Sequence, residues 1–239
     1  MHAISIIPAR LASTRLPRKV LREIAGRPML AYVVEAARRC PELADVIVAT
    51  DSDEVLAVCK QNGWRAEMTS ASHRSGTDRV WEVAQRIPAD VYVNVQGDEP
   101  LARPEHISAL LAPMKDPRVL VSTIKTPIAT DLNNPNAVKV VTDLEGRALY
   151  FTRATVPFDR DNTGSVARFK HLGFYAYRRE ALEKFCAWPE SELERAERLE
   201  QLRFLDHGIE ICVAETPYDT VGVDTEEELK RVEGMIRGR

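Results

Sequence analysis

Short β-branched apolar runs alternate with amphipathic helical stretches over roughly the first 115 residues, and no other feature of the sequence constrains the fold as strongly. Ala3–Ile7, closed by Pro8, reads as a buried strand. Met29, Tyr32, Val33 and Ala36 recur at helical spacing and predict a helix from about Pro28 to Arg39, with Pro28 suited to its first turn. A strand over Asp45–Thr50 leads into Asp51 and Glu54, whose spacing is that of a helix-starting cap, and a helix over Glu54–Asn62. A short strand near Arg65–Met68, a helix through Thr77–Arg86 and a strand at Val91–Val95 continue the pattern of βαβ units around a parallel sheet. From Val119 the grammar changes. Val119–Lys125, Ala137–Val141 and Ala148–Thr152 read as strands, with Asp143-Leu144-Glu145-Gly146 as a hairpin turn. Phe169–Tyr177 is a further strand, followed by helices over Arg179–Cys186 and Glu192–Leu205, a strand at Ile209–Ala214 and a closing helix from Glu226. The expected architecture is one α/β domain over residues 1–239, with a mostly parallel central sheet and a mixed-strand insertion at about 130–190.

Composition narrows the function classes. With 33 Lys+Arg against 36 Asp+Glu, the net charge of −3 lacks the basic excess of a nucleic-acid-coating protein, so any anion recognition is local. Cys40, Cys59, Cys186 and Cys212 are far apart and form no CxxC pair, which fits free thiols in a reducing compartment. The apolar run Ala3–Ile7 is too short for a signal-peptide core, and no run approaches the ~18 apolar residues of a membrane span. A cytoplasmic protein that engages neither membrane nor nucleic acid is expected.

In open α/β sheets ligands bind at the carboxyl ends of the strands. The loop there, Pro8 to Lys19, has no glycine, which argues against a dinucleotide dehydrogenase and against a P-loop. It carries Arg10, Arg15, Arg18 and Lys19 instead. Such clustering suits a small polyanion, with Arg forks gripping phosphates and Lys acting as a point charge; a solvated basic loop is the other reading. Asp98 ends the Val91–Val95 strand in the same crevice. Asp224 precedes Thr225, whose spacing to Glu228 makes a capping box, so it reads either as a site carboxylate or as a helix-start acid. Ser75-Gly76 is suited to close backbone approach and equally caps the next helix.

Pro8-Ala9-Arg10, Ser13 and Arg15-Leu16-Pro17 with Lys19 resemble the nucleotide-binding signature of the sugar-acid cytidylyltransferases. The resemblance continues in order through His73–Arg79 (HRSGTDR), Asn94–Pro100 (NVQGDEP), Asn134–Val141, Leu149–Ala154, His171–Arg178, Leu199–Arg203 (LEQLR) and Gly222–Thr225 (GVDT). It covers almost the whole chain, and the full ordered set is similar to the branch of that family acting on 3-deoxy-manno-octulosonate. The resemblance implies an open Rossmann-like nucleotidyltransferase fold, a three-layer sandwich. It implies transfer of CMP from CTP to the anomeric hydroxyl of 3-deoxy-D-manno-octulosonate, giving CMP-Kdo and pyrophosphate for lipopolysaccharide or capsule synthesis. The 8-amino analogue and nonulosonic acids are the alternative acceptors.

The same resemblance distributes roles. Asp98 and Asp224 hold Mg²⁺ and, with Lys19 and Arg15, form the catalytic set. Pro8, Ala9, Arg10, Arg15, Lys19, Arg74, Ser75, Gly76 and Gln96 bind the nucleotide. Arg79, Arg153, His171, Tyr175, Glu200 and Gln201 bind the sugar acid, although Tyr175 and His171 on an alternating strand read equally as core. Glu99 tunes its turn, and no side chain stands out as a general base. A homodimer is implied, with the 130–190 strands as its contact. A nucleotide-binding regulatory module without chemistry is the rival of a different class; its mark would be loss of an aspartate or of the basic loop, and both are present. Two departures stand out: Arg18 and Val20 occupy positions where many family members have glycine and proline, and the loop 160–170, which borders the sugar, is shorter than in several relatives.

Overall fold

A computed structural model of the chain describes residues 1–11, 15–161 and 163–238. Ser13 of the basic loop and Asn162 of the short loop lie outside the described residues. The chain divides into two compact units, Met1–Ser108 with Thr220–Arg239, and Ala109–Asp219.

In the first unit, strand β1 (Ala3–Pro8) is followed by a short hairpin of β2 (Glu23–Ile24) and β3 (Arg27–Pro28), then helix α1 (Met29–Arg38) and strand β4 (Leu43–Thr50). Helix α2 (Asp53–Gln61), strand β5 (Arg65–Met68), helix α3 (Gly76–Arg86) and strand β6 (Val91–Asn94) come next, and helix α4 (Pro104–Leu111) carries the chain into the second unit. β1 pairs in parallel with both β4 and β6, and β4 in parallel with β5, so the spatial order is β6-β1-β4-β5. Every residue of β1 is buried, as a central parallel strand covered on both faces requires. The β2–β3 hairpin has no counterpart in the sequence reading. It turns through Ala25 and Gly26, both at positive φ, where the alanine conceals the usual Asn-Gly signature.

Two helix starts differ from expectation. Ser52, not Asp51, caps α2, its side chain accepting from the Val55 N–H. Asp51 instead accepts from Arg79 at 2.8 Å, a long-range partner that sequence spacing does not reveal. Pro28 is the N-cap residue of α1 and does not enter its first turn. By contrast, Ser75 and Asp78 form a capping box on α3.

The second unit contains strands β7 (Val121–Pro127), β8 (Lys139–Thr142), β9 (Ala148–Thr152) and β10 (Phe169–Tyr177), then helices α5 (Arg179–Ala187), α6 (Glu192–Glu197) and α7 (Leu202–Asp206), and strand β11 (Ile211–Glu215). β10 pairs antiparallel with β7 and β8, and β8 with β9, while β11 runs parallel to β7. Gly146 at φ +78° closes the β8–β9 hairpin at the expected turn. The single helix expected over Glu192–Leu205 is two. Arg198 adopts the left-handed conformation at φ 53° and ends α6, and the chain resumes as α7. Leu193 and Ala196 of the expected apolar stripe are exposed, and burial begins at Leu199. The fold is thus α/β, mostly parallel with some antiparallel strands.

Helix α8 (Glu226–Arg237) belongs to the first unit. Its Leu229 and Val232 bury against Leu16, Ile24, Met29, Leu101 and Val223. Each such aliphatic burial contributes about 1.5–3 kcal/mol. Leu16 is therefore the apolar anchor of the basic loop.

Two backbone positions here generate tests. A Cβ on Gly97 would lie 2.8 Å from the carbonyl oxygen of Pro8, and that oxygen also accepts the Gly97 N–H. Gly97→Ala is expected to cost about 1–3 kcal/mol in denaturant unfolding, because backbone rather than a flexible side chain must yield. Arg18 sits at φ 57°, the left-handed region that favours glycine, with its guanidinium paired to Glu54. Left-handed backbone costs a non-glycine residue about 1–2 kcal/mol and an exposed ion pair is worth about 0–1 kcal/mol, so Arg18→Gly should raise or preserve the unfolding midpoint. A clear fall would contradict this account.

Candidate active site

The basic loop, the end of β6 and the start of α8 meet in the first unit. Lys19 Nζ donates to the carboxylates of both Asp98 and Asp224, at 2.7 Å for Asp224 Oδ1. Arg15 Nη2 donates to the other Asp224 oxygen at 2.7 Å. Burial opposes the charge on Lys19, but the Asp98 and Asp224 carboxylates outweigh it and hold the ammonium above its ordinary range. Lys19 thus stays protonated, and two acids far apart in sequence face one cation.

Local structure explains the convergence. Asp98 follows the tight Gly97 turn, and its carbonyl accepts the Val223 N–H at 2.9 Å, which lays the 220s segment beside it. Val223 is fully buried, and Glu228 accepts the Asp224 N–H at 2.8 Å as part of the Thr225–Glu228 capping box. Asp224 is therefore a helix-start acid whose carboxylate also faces Lys19.

The nucleotide candidates also converge. Arg10 donates to the carbonyls of His73 and Arg74, at 3.4 and 3.1 Å, tying the loop after β1 to the loop before α3. Ala9 is fixed at both ends of its peptide, its N–H on the Ala49 carbonyl and its own carbonyl on the Thr50 hydroxyl. A Cβ on Gly76 would meet the Gln96 amide at 3.0 Å and Pro8 Cγ at 3.5 Å, so Pro8, Gly76 and Gln96 are neighbours. Ser75 caps α3 at the same place, and the Arg74 side chain is exposed. Arg79 is fully buried, its guanidinium donating to Asp51 and Thr69, with Nε left without a partner among the described residues.

The remaining sugar-acid candidates lie in the second unit. His171 ring nitrogen Nε2 is 2.9 Å from the Thr123 hydroxyl, which donates its single hydrogen to the Phe174 carbonyl at 2.7 Å. His171 Nε2 therefore carries the hydrogen and donates. Along one strand face the Tyr175 ring stacks on Tyr177 with centroids 5.6 Å apart and meets His171 at a tilt, 5.5 Å between centroids. Burial first, and then the neighbouring Tyr177 and the Glu200 carboxylate, push the Tyr175 hydroxyl well above its ordinary range, so Tyr175 remains a neutral donor. Glu200 and Gln201 occupy the break between α6 and α7 rather than a helix face. Gln201 is buried, and its Nε2 has no partner among the described residues.

Arg153 spends its guanidinium on backbone, donating to the carbonyls of Glu197, Pro135 and Arg198. Sequence reasoning missed Lys139, which is fully buried and donates to the carbonyls of Asn134 and Arg153 at 3.0 and 2.7 Å. Its signal was a lysine inside an otherwise apolar strand run.

Residues 4–211 match the family model described as cytidylyltransferase. The chain belongs to the cytidylyltransferase family. This cytidylyltransferase is 68% identical over 240 residues to the 3-deoxy-manno-octulosonate cytidylyltransferase of Koribacter versatilis, covering 100% of this chain and 92% of that one. It is 56% identical to the protein of the same name from Acidobacterium capsulatum, covering 100% and 98%. A solved structure of CMP:2-keto-3-deoxy-manno-octonic acid synthetase complexed with CTP superposes with a TM-score of 0.96 at 42% identity, covering 100% of this chain and 99% of that one.

The buried imidazole gives the cytidylyltransferase a measurable acid sensitivity. Burial, with a smaller contribution from Lys170, lowers the His171 pKa from 6.5 to about 3. The unfolded chain then takes up this proton first as pH falls, so the stability His171 contributes is complete above pH 6.5 and drains away toward pH 3. His171→Gln should flatten the wild-type loss of unfolding free energy across that window by a few kcal/mol, roughly. Parallel pH profiles would show that the ring is not held neutral.

Proposed function

We propose that the chain transfers CMP from CTP to the anomeric hydroxyl of 3-deoxy-D-manno-octulosonate, releasing pyrophosphate. The observation that carries the chemistry is the pair of carboxylates on one ammonium, with Arg15 beside them and Arg10 tied to the base-side loop. The names of the relatives favour the octulosonate over its 8-amino analogue and over nonulosonic acids.

The donor set fits Mg²⁺. Among the described residues no group of three or more acidic, His or Cys side chains forms a closed metal cage. Magnesium at phosphate-transfer sites takes one or two carboxylates and leaves the remaining positions to water and substrate phosphates, and Asp98 and Asp224 supply that number. When bound, the ion would neutralise charge on the α-phosphate and favour ionisation of the attacking hydroxyl.

The chain's own residues do the rest. Arg10, Arg15 and Lys19 bind the triphosphate and stabilise the departing pyrophosphate as the bond to the α-phosphorus breaks. The anomeric oxygen forms the new bond to that phosphorus as the bond to the pyrophosphate breaks, and its proton passes to solvent water. Pro8, Gly76 and Gln96 present a close-packed surface suited to the pyrimidine, where backbone carbonyls accept from the cytosine amine. On the acceptor side, the unpaired Gln201 amide supports sugar recognition, since a buried donor without a partner is costly and a hydroxyl-rich ligand would satisfy it. Tyr175 and Glu200 add a neutral donor and an acceptor.

The proposal extends to a cytoplasmic enzyme feeding lipopolysaccharide or capsule assembly. Among the described residues no helix is long and apolar enough to cross a membrane. It extends also to a homodimer, supported by the exposed Leu144, Leu149 and Phe158 within the 130–190 region.

Pyrophosphate release with CTP, UTP or ATP, against a panel of sugar acids in Mg²⁺, tests the reading. Release with CTP and the octulosonate alone is expected, and release with none of the pairs would leave a binding module. Asp98→Asn and Asp224→Asn should each lower turnover by ~100-fold or more, about 2.7 kcal/mol of barrier, with an unchanged circular dichroism spectrum. Wild-type kinetics in either variant would remove that residue from the mechanism.

A further inference from the structure

The chain re-enters the first unit at Thr220, four residues before Asp224. Thr220 is buried, and its hydroxyl donates to Glu99 Oε2 at 2.8 Å across 121 residues of sequence. Two residues later Gly222 leaves little space for a side chain, because a Cβ there would meet Glu99 Oε1 at 3.1 Å. The Val223 N–H then joins the Asp98 carbonyl at 2.9 Å, and the Asp224 N–H joins Glu228 at 2.8 Å. The backbone carrying Asp224 is thus pinned on both sides. Glu99, next to Asp98 in sequence, provides the upstream pin.

We propose that Glu99 is a positioning residue: by latching Thr220 over the side-chain-free Gly222, it sets the spacing at which the Asp98 and Asp224 carboxylates share one cation. Asp98 and Asp224 repel one another, and that repulsion opposes their juxtaposition wherever the backbone can give. Val221 packs against the apolar cluster that buries Val223, and the Thr220–Glu99 bond adds a polar tie on the upstream side of Gly222. The proposal rests on the metal reading above.

Calorimetric titration of CTP into the full chain, in Mg²⁺ and in EDTA, tests it without recourse to turnover. Wild type is expected to bind CTP more tightly in Mg²⁺. Thr220→Val, which keeps size but loses the donor, should weaken binding in Mg²⁺ by ~10-fold, the scale seen when a group supporting a metal ligand is removed, and leave binding in EDTA unchanged. Gly222→Ala, which crowds Glu99, should do the same, and Thr220→Ser should restore wild-type behaviour. Unchanged affinity in Thr220→Val, equal losses in Mg²⁺ and EDTA, or failure of Thr220→Ser to restore binding would each overturn the latch. Wild-type affinity indifferent to Mg²⁺ would overturn the metal reading and the latch with it, whereas Mg²⁺ dependence in wild type with none of the variant effects removes the latch alone.

Discussion

Two carboxylates on a single ammonium form the constraint around which the first unit is built. Like charges brought together repel by an amount that grows as the surroundings become less polar, so the Asp98–Asp224 pair needs a cation between its members. Lys19 meets that need with Arg15 alongside. Each element nearby serves the convergence. Leu16 buries to anchor the cationic loop, Gly97 allows the end of β6 to lie against Pro8, and Val223 and Glu228 hold the second acid in place. Polyphosphate chemistry asks for charge that is fixed before the substrate arrives, because reorganising it afterwards would add to the barrier.

The groups proposed for the sugar acid, in the second unit, are of a different kind. A sugar acid is recognised largely through hydroxyls, and these proposed groups are mostly neutral: a histidine held deprotonated by burial, a tyrosine kept from ionising, and an amide with an open donor. Lys139 and Arg153 there are spent on backbone carbonyls: Arg153 donates to the Glu197 and Arg198 carbonyls at the left-handed break before Glu200 and Gln201, and Lys139 donates to the carbonyl of Arg153. A buried lysine is costly, and the two carbonyls that accept from it help to explain why it remains.

Much of this was legible in the chain itself. The runs Arg65–Met68, Ala148–Thr152 and Phe169–Tyr177 are strands with the boundaries their residues suggest, because β-branched and aromatic side chains between turn residues have few other uses. The basic loop, the aspartate after β6 and the Thr225–Glu228 box were visible as local patterns, and local patterns are set by neighbours in sequence. The β2–β3 hairpin escaped because Ala25 occupies a positive-φ position that usually takes asparagine or glycine. The helix expected over Glu192–Leu205 hid its break because Arg198 takes a left-handed conformation that no glycine announces, and carbonyls accepting from Arg153, some forty residues earlier, hold it.

By itself the sequence determined the alternation of strands and helices, the absence of a glycine-rich phosphate loop and the family to which the chain belongs, since each depends only on the order of residue types. Tertiary structure alone decided which carboxylates share a cation, that Asp51 leaves a helix cap for Arg79, that Arg153 faces backbone, and that Glu99 meets Thr220 across the length of an intervening unit. Those are pairings between residues far apart in the chain. Burial and charge select them only after the backbone has closed, and no local spacing encodes them.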